Sequence, residues 1–319
     1  MKSRAAISLF AAAGAALALA APAHAAPTGT LLSSSQQPSR VGAWNGDIVF
    51  SAYDPATQRY SLMRSEGGAP AQPLPVAPSA RAFDIALGTN ATGSTYAVYS
   101  RCDDGCDLYR LRLDGGAETR LTAISSPTAD ERDPTIFDGR IAFVRAGRGG
   151  DTIRIAASGT RGPTALLVRG GRLSRPALGP STLAYLATTG PQNALRDSLR
   201  VVSTHGGAAR TVAAEPAAAA PFTRLTGPTL TDSARSFVWA QTGTAAAKGD
   251  VGLFQYRLAS RRVVRGSIVD ANWASTAWAG GPLGLATASD LYGGCYAGTA
   301  ESIDETNCFV TYTGPVSFG

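Results

Sequence analysis

The sequence predicts an all-β fold, a β-propeller of four-stranded blades with six blades in the ring. Three observations carry this. Apolar residues alternate with polar ones in short runs broken by Gly, Pro, Asp and Ser, which is the period of half-buried strands. Beyond Ala25 no stretch sustains a helical period. Three short patterns recur at a spacing of roughly 42 to 54 residues, the range in which propeller blades repeat.

The fullest copy of the unit is Tyr96 to Thr122, two strands and a tight turn followed by the start of a third strand. The first pattern is a small or polar residue, an apolar pair and an aromatic. It appears as Gly46-Asp47-Ile48-Val49-Phe50, Tyr96-Ala97-Val98-Tyr99, Gly139-Arg140-Ile141-Ala142-Phe143, Ser181-Thr182-Leu183-Ala184-Tyr185 and Arg235-Ser236-Phe237-Val238-Trp239, with a degraded copy at Pro282-Leu283-Gly284-Leu285. Residues two apart on a strand share a face, so each copy presents an apolar and an aromatic side chain to a neighbouring unit. Stacking of equivalent strands buries them.

The second pattern places an acidic residue where a strand begins and an arginine three positions on, as in Asp107-Leu108-Tyr109-Arg110, Asp151-Thr152-Ile153-Arg154 and Asp197-Ser198-Leu199-Arg200. A ring of binding carboxylates would look like this. So would a set of turn residues accepting backbone N–H bonds, and repetition favours that scaffold role. The third pattern is Gly-Gly-Ala after Glu66, Asp114 and His205, where glycine supplies the positive φ of a tight hairpin. A fourth element precedes the first pattern: Asp133-Pro134, Arg175-Pro176 and Gly227-Pro228 open short apolar runs, and proline suits the start of a strand. The unit is then four strands long. The blades are expected at 37–76, 82–123, 132–169, 173–214, 225–267 and 271–319, with 29–35 closing the last.

These units resemble the WD40-like repeats of TolB-type β-propellers. Phe137-Asp138-Gly139-Arg140-Ile141-Ala142-Phe143 is similar to the family's D-G-x-x-I-A-F core, and Asp114-Gly115-Gly116 through Arg120-Leu121-Thr122 resembles its second half. The likeness runs from about Arg40 to Ser267. It implies six blades and a non-enzymatic, protein- or peptide-binding scaffold.

Lys2 and Arg4, an apolar run from Ala5 to Ala20 and the small-x-small triplet Ala23-His24-Ala25 read as an export signal over residues 1–25. No later run approaches about 18 apolar residues, so no integral membrane segment is expected after signal removal. Without the signal, 27 basic residues face 23 acidic ones, and the basic residues are scattered. That balance argues against a nucleic-acid partner. Cys102, Cys106, Cys295 and Cys308 would then fold in an oxidising compartment. Of the three possible connectivities, local pairing is favoured, because Cys102 and Cys106 flank a turn and Cys295 and Cys308 share the last segment. A four-thiolate zinc site is the alternative, and the spacings do not suit it.

No catalytic motif is present. His205, the only histidine after signal removal, occupies a turn position held elsewhere by Glu66 and Asp114, and there is no G-x-S-x-G elbow. No cofactor or metal is called for; Asp103, Asp104 and Asp107 lack the spacing of an EF-hand. In a propeller the innermost strands line a central channel, and the residues opening them ring one mouth. By repeat alignment these are Arg40, Asp84, Asp133, Arg175, Thr226 and Asn272. The run Asp130-Glu131-Arg132-Asp133 makes that mouth acidic. A mouth of this kind would bind a cation or a charged peptide through Asp84 and Asp133 with Arg175 as a counter-charge, and an ordinary solvated rim is the alternative reading of the same residues. The enzyme alternative is a hydrolase or lyase on extracellular carbohydrate with Asp84 and Asp133 as an acid/base pair.

Overall fold

Alternating apolar side chains can be buried only when strands pair and sheets stack, and the chain does both. A computed structural model describes residues 30–35, 41–157, 164–191, 194–215, 225–242, 250–270, 273–280, 284–290, 308–312, 316 and 318. The export signal therefore lies outside the described residues. Strand β1 (Thr30–Ser35) comes first. Blade one holds β2 (Val41–Trp44), β3 (Asp47–Asp54), β4 (Arg59–Glu66) and β5 (Gln72–Pro73); blade two holds β6 (Asp84–Thr89), β7 (Thr95–Arg101), β8 (Asp107–Arg112) and β9 (Thr119–Arg120). Blade three is β10 (Asp130–Phe137), β11 (Arg140–Gly147), β12 (Gly150–Ala157) and β13 (Ala165–Gly170). Blade four is β14 (Arg172–Leu178), β15 (Thr182–Thr189), β16 (Arg196–Ser203) and β17 (Arg210–Ala214). Blade five is β18 (Thr229–Leu230), β19 (Ser236–Thr242), β20 (Asp250–Arg257) and β21 (Arg262–Asp270), and β22 (Trp273–Gly280), β23 (Gly284–Asp290) and β24 (Cys308–Tyr312) begin the last.

The strands form six antiparallel sheets of four. Five are consecutive meanders. The sixth runs β1-β24-β23-β22, so β1 completes it from the other end of the chain, pairing Thr30 with Tyr312 and Ser35 with Cys308. The first strands of successive blades are neighbours all the way round, with β2 beside β22 to close the ring.

The repeated aromatic explains the stacking. Phe50, Tyr99, Phe143, Tyr185 and Trp239 occupy equivalent places in the second strands, and each is at most 1 % exposed. Each such burial is worth about 1.5–3 kcal/mol. Val98, Ile136, Ile141 and Phe143 join blades two and three, and Val144, Leu178, Leu183 and Tyr185 join three and four. Inner-strand threonines add polar ties: Leu178 N–H donates to Thr135 Oγ1 at 3.2 Å and Trp278 N–H to Thr229 Oγ1 at 3.0 Å. The Gly-Gly turns connect third to fourth strands with positive φ, for instance 60° and 81° at Gly67 and Gly68. His205 sits exposed in the equivalent turn.

The acidic residues of the second pattern are structural, but by a different route from a turn acceptor. Asp151 takes the Leu173 N–H of the next blade at 2.9 Å and pairs with Arg132 at 2.8 Å. Asp107 pairs with Arg120 at 2.6 Å, and Asp197 accepts the Thr188 hydroxyl at 2.6 Å. They fasten strands and blades together.

Candidate functional site

The inner segments surround a central cavity of about 100 Å³. Five of them contribute four consecutive residues each, at 41–44, 84–87, 133–136, 175–178 and 227–230, and Ala277 joins from β22. Aligned by position, these residues make four tiers. The first holds Val41, Asp84, Asp133, Arg175 and Gly227. The fourth holds Trp44, Leu87, Ile136, Leu178 and Leu230, all buried. Among the described residues charge is confined to one end of the cavity, where Asp84, Asp133 and Arg175 are half-buried, and the opposite end is apolar.

The backbone at this mouth departs from regular strand. Asp133 and Arg175 have φ of 48° and 49°, a left-handed conformation that is unfavourable for a residue with a Cβ by about 1–2 kcal/mol. Both precede proline. Both sit at interruptions of the ladder, between Arg132 and Thr135 in β10 and between Ser174 and Ala177 in β14. Bulges of this kind re-aim side chains, and retained backbone strain concentrates at binding sites. Gly227, at the same tier of blade five, makes room for Arg175: a Cβ there would lie 2.5 Å from Arg175 Cδ and 2.7 Å from its Cβ. Asp84 Oδ2 accepts the Ser100 hydroxyl at 3.3 Å, and interactions within the fold engage Asp133 and Arg175 as well.

Of the mouth residues expected from the repeat, the structure brings Asp84, Asp133 and Arg175 into one cavity. Arg40 and Asn272 lie outside the described residues. Thr226 is displaced from the expected ring by one position: it is buried, its hydroxyl accepts the Ala240 N–H at 2.8 Å, and Gly227 lines the cavity instead. Nor is the run Asp130 to Asp133 an acidic patch. Glu131 is fully buried and pairs with Arg145 at 2.8 Å, and Arg132 pairs with Asp151. Burial pushes the Glu131 carboxyl above its usual range against the opposing pull of the Ser126 N–H and Arg145.

Trp44 lies at the apolar end of the cavity. Its indole Nε1 is buried without a hydrogen-bond partner among the described residues, and its ring meets Phe137 edge-on at 6.4 Å.

No protein-family model and no curated protein matches the sequence. Solved structures do match. TolB from Acinetobacter baumannii superposes with a TM-score of 0.52 and 13% identity over 75% of this chain. The fold is a β-propeller, one that TolB shares. The chain spans 58% of the length of that TolB. The propeller fold is shared more widely: a nidogen/laminin complex matches with a TM-score of 0.52 and 12% identity, over 79% of this chain and 85% of the other. An oligogalacturonate lyase in complex with manganese matches at 0.50 and 12%, over 82% and 77%.

A second notable feature of this propeller is the loop between β7 and β8, closed by a Cys102–Cys106 disulfide with a Cα–Cα distance of 4.1 Å. Asp103 Oδ1 accepts the Ala80 N–H at 3.2 Å and the Ser79 hydroxyl at 3.3 Å. With Asp107 paired to Arg120, Asp103 and Asp107 serve the scaffold, and Asp104 is exposed. Among the described residues no three His, Cys, Asp or Glu side chains gather as a metal site. The expected Cys295–Cys308 bridge lies outside the described side chains.

Proposed function

We propose that this chain is an exported, non-enzymatic propeller that binds a protein or peptide at the mouth of its central cavity. The observation that carries the reading is the polarised cavity, with two carboxylates and a guanidinium among the described residues at one end, two of the three held on left-handed backbone, and the buried apolar tier of Trp44, Leu87, Ile136, Leu178 and Leu230 at the other. A formed disulfide at Cys102–Cys106 fits an oxidising compartment. The likeness to TolB and to the propeller of the nidogen/laminin complex fits a binding role by analogy of fold.

A hydrolase or lyase acting on extracellular carbohydrate is the second reading, since Asp84 and Asp133 line the same cavity. The cavity's volume ranks it second, being less than the ~150 Å³ that takes up one benzene ring. The test is recovery of a partner from the native envelope fraction by the wild-type chain and by an Asp133→Asn/Arg175→Gln variant. A defined partner lost with the variant supports the reading, and unchanged recovery rejects this face. Oligosaccharide turnover abolished by Asp84→Asn would replace it with the enzyme reading.

A further inference from the structure

We propose that the end of the propeller opposite the mouth carries a second docking surface, formed by blades four and five, for an acidic peptide segment of a partner protein. This goes beyond the mouth-binding reading and does not depend on it.

The near-balance of charge over the whole chain conceals an uneven distribution. Residues 172–270, which hold blades four and five, contain 12 basic and 5 acidic side chains, whereas the rest of the chain from residue 26 onward contains 15 and 18. Four of the five acids, Asp197, Glu215, Asp250 and Asp270, belong to the mouth ends of their strands. The fifth, Asp232, leans toward blade six, where a Cβ on Gly280 would lie 2.8 Å from its Oδ2.

Arginines collect at the other end. Ser236, Arg257 and Arg262 stand abreast on β19, β20 and β21, and neighbouring strands lie about 4.8 Å apart. Arg235 precedes Ser236, and its carbonyl accepts the Leu258 N–H at 2.9 Å. Arg261 closes the turn from β20 to β21, and its carbonyl accepts from Arg210 of blade four at 3.2 Å. Arg210, Arg235, Arg257, Arg261 and Arg262 thus meet in one place, and all five are exposed.

Arg210 donates to the Tyr256 hydroxyl at 2.6 Å and to the Arg261 carbonyl, and neither acceptor carries a charge. Arg257 donates to Gln255 Oε1 at 3.2 Å and is engaged further within the fold, so it adds to the local field and is not counted as a contact. Arg257 and Arg262 face each other directly across two strands, an arrangement of like charges that costs stability. The repeat does not demand it, because the third strands of blades one to four end in Glu66, Arg112, Ala157 and Ser203 or next to them. A general excess of arginine would be spread over six blades.

The surroundings decide the form of the partner. Glu66, Asp114 and Asp138 are exposed at the same end of blades one to three, so a flat anionic surface laid over this end would meet them as well. A single extended chain would not. Phe237 and Tyr256, the rings beside the arginines, are buried, which leaves neither for nucleic-acid bases to stack on. Side-chain carboxylates match the planar arginine fork.

The probe is a short capped Glu-Gly repeat peptide, titrated into the full chain by calorimetry. It is expected to bind at about 50 mM salt and more weakly at about 200 mM, where exposed charges are screened. Arg235→Gln/Arg262→Gln should weaken it about three- to tenfold, the range for loss of two exposed ion pairs, with a retained urea midpoint showing the fold intact. Arg148→Gln/Arg169→Gln removes the same charge from exposed positions of blade three and should leave affinity unchanged, as should Asp133→Asn/Arg175→Gln at the mouth. Absence of binding at the lower salt overturns the proposal. An equal loss in the blade-three variant does so too, by showing that net charge alone attracts the peptide. Loss in the mouth variant alone moves the peptide to the mouth and overturns the second surface. Tighter binding of duplex DNA or of a polyuronate, lost in the blade-five variant, overturns the peptide as partner and puts that polymer in its place.

Discussion

Asp130 Oδ1 accepts the backbone N–H of Cys106 at 3.0 Å, and the N–H of Glu131 returns to the Cys106 carbonyl at 2.8 Å. The disulfide loop of blade two is thereby fastened to the first strand of blade three, three residues before Asp133. Through Asp103 the same loop holds Ser79 and Ala80, which lead into Asp84. One small ring of covalent bonds steadies the approaches to both carboxylates of the mouth.

Replacing Cys102 and Cys106 together by serine is therefore expected to lower stability by about 2 kcal/mol, the chain-entropy value for a loop this short. Urea denaturation would measure it. Amide exchange should quicken at Glu131 to Asp133 in the variant and in reduced wild type alike. Unchanged protection there would show that the loop does not steady the mouth.

Gly227→Ala should displace Arg175, because the added methyl would overlap both Cβ and Cδ of that side chain. Overpacking of this kind costs about 1–3 kcal/mol. The informative comparison is with affinity for the partner at the mouth, which should fall along with the urea midpoint. A variant of unaltered stability and affinity would mean that Arg175 has other room to occupy.

Asp151→Ala should cost about 2–3 kcal/mol, since it strands the buried Leu173 N–H and the Arg132 guanidinium together. Asp151→Asn should recover part of that loss by keeping an acceptor for Leu173. Chemical denaturation of the pair, compared with wild type, checks both statements.

Glu131 has a consequence for pH. Burial raises its folded-state pKa above the ordinary value of 4.5, so the folded chain holds that proton more tightly than the unfolded chain. Its contribution is complete below the ordinary value and is lost as pH rises through the raised one. Wild-type stability measured against Glu131→Gln should accordingly decline as pH rises above the ordinary value of 4.5. A difference that grows with pH would show the Arg145 pair outweighing burial.

The blade scaffold was legible because each blade repeats the same physical demands. An aromatic two positions beyond an apolar residue must be buried, as Tyr185 and Trp239 are, and Gly206-Gly207 must turn. The mouth was legible only in part. Strand alternation sends Glu131 and Asp133 to one side, yet Glu131 is buried beside Arg145 while Asp133 lines the cavity. The bulge that breaks the alternation depends on positive φ at Asp133 and Arg175, and a residue before proline is ordinarily extended. The partners that absorb Glu131 and Arg132, namely Arg145 and Asp151, come from later strands of the same blade, so the local run of charges misrepresents the surface.

The pairing of β1 with β24 also sets an order of events. Five blades can form as the chain lengthens, each from its own neighbours, whereas the last waits for segments from opposite ends of the described chain to meet. That meeting spans the largest sequence separation in the ring, so closure is the step slowed most by chain entropy. Until it happens the last blade lacks its outermost strand, on the side away from the cavity, whose wall is built from the innermost strands.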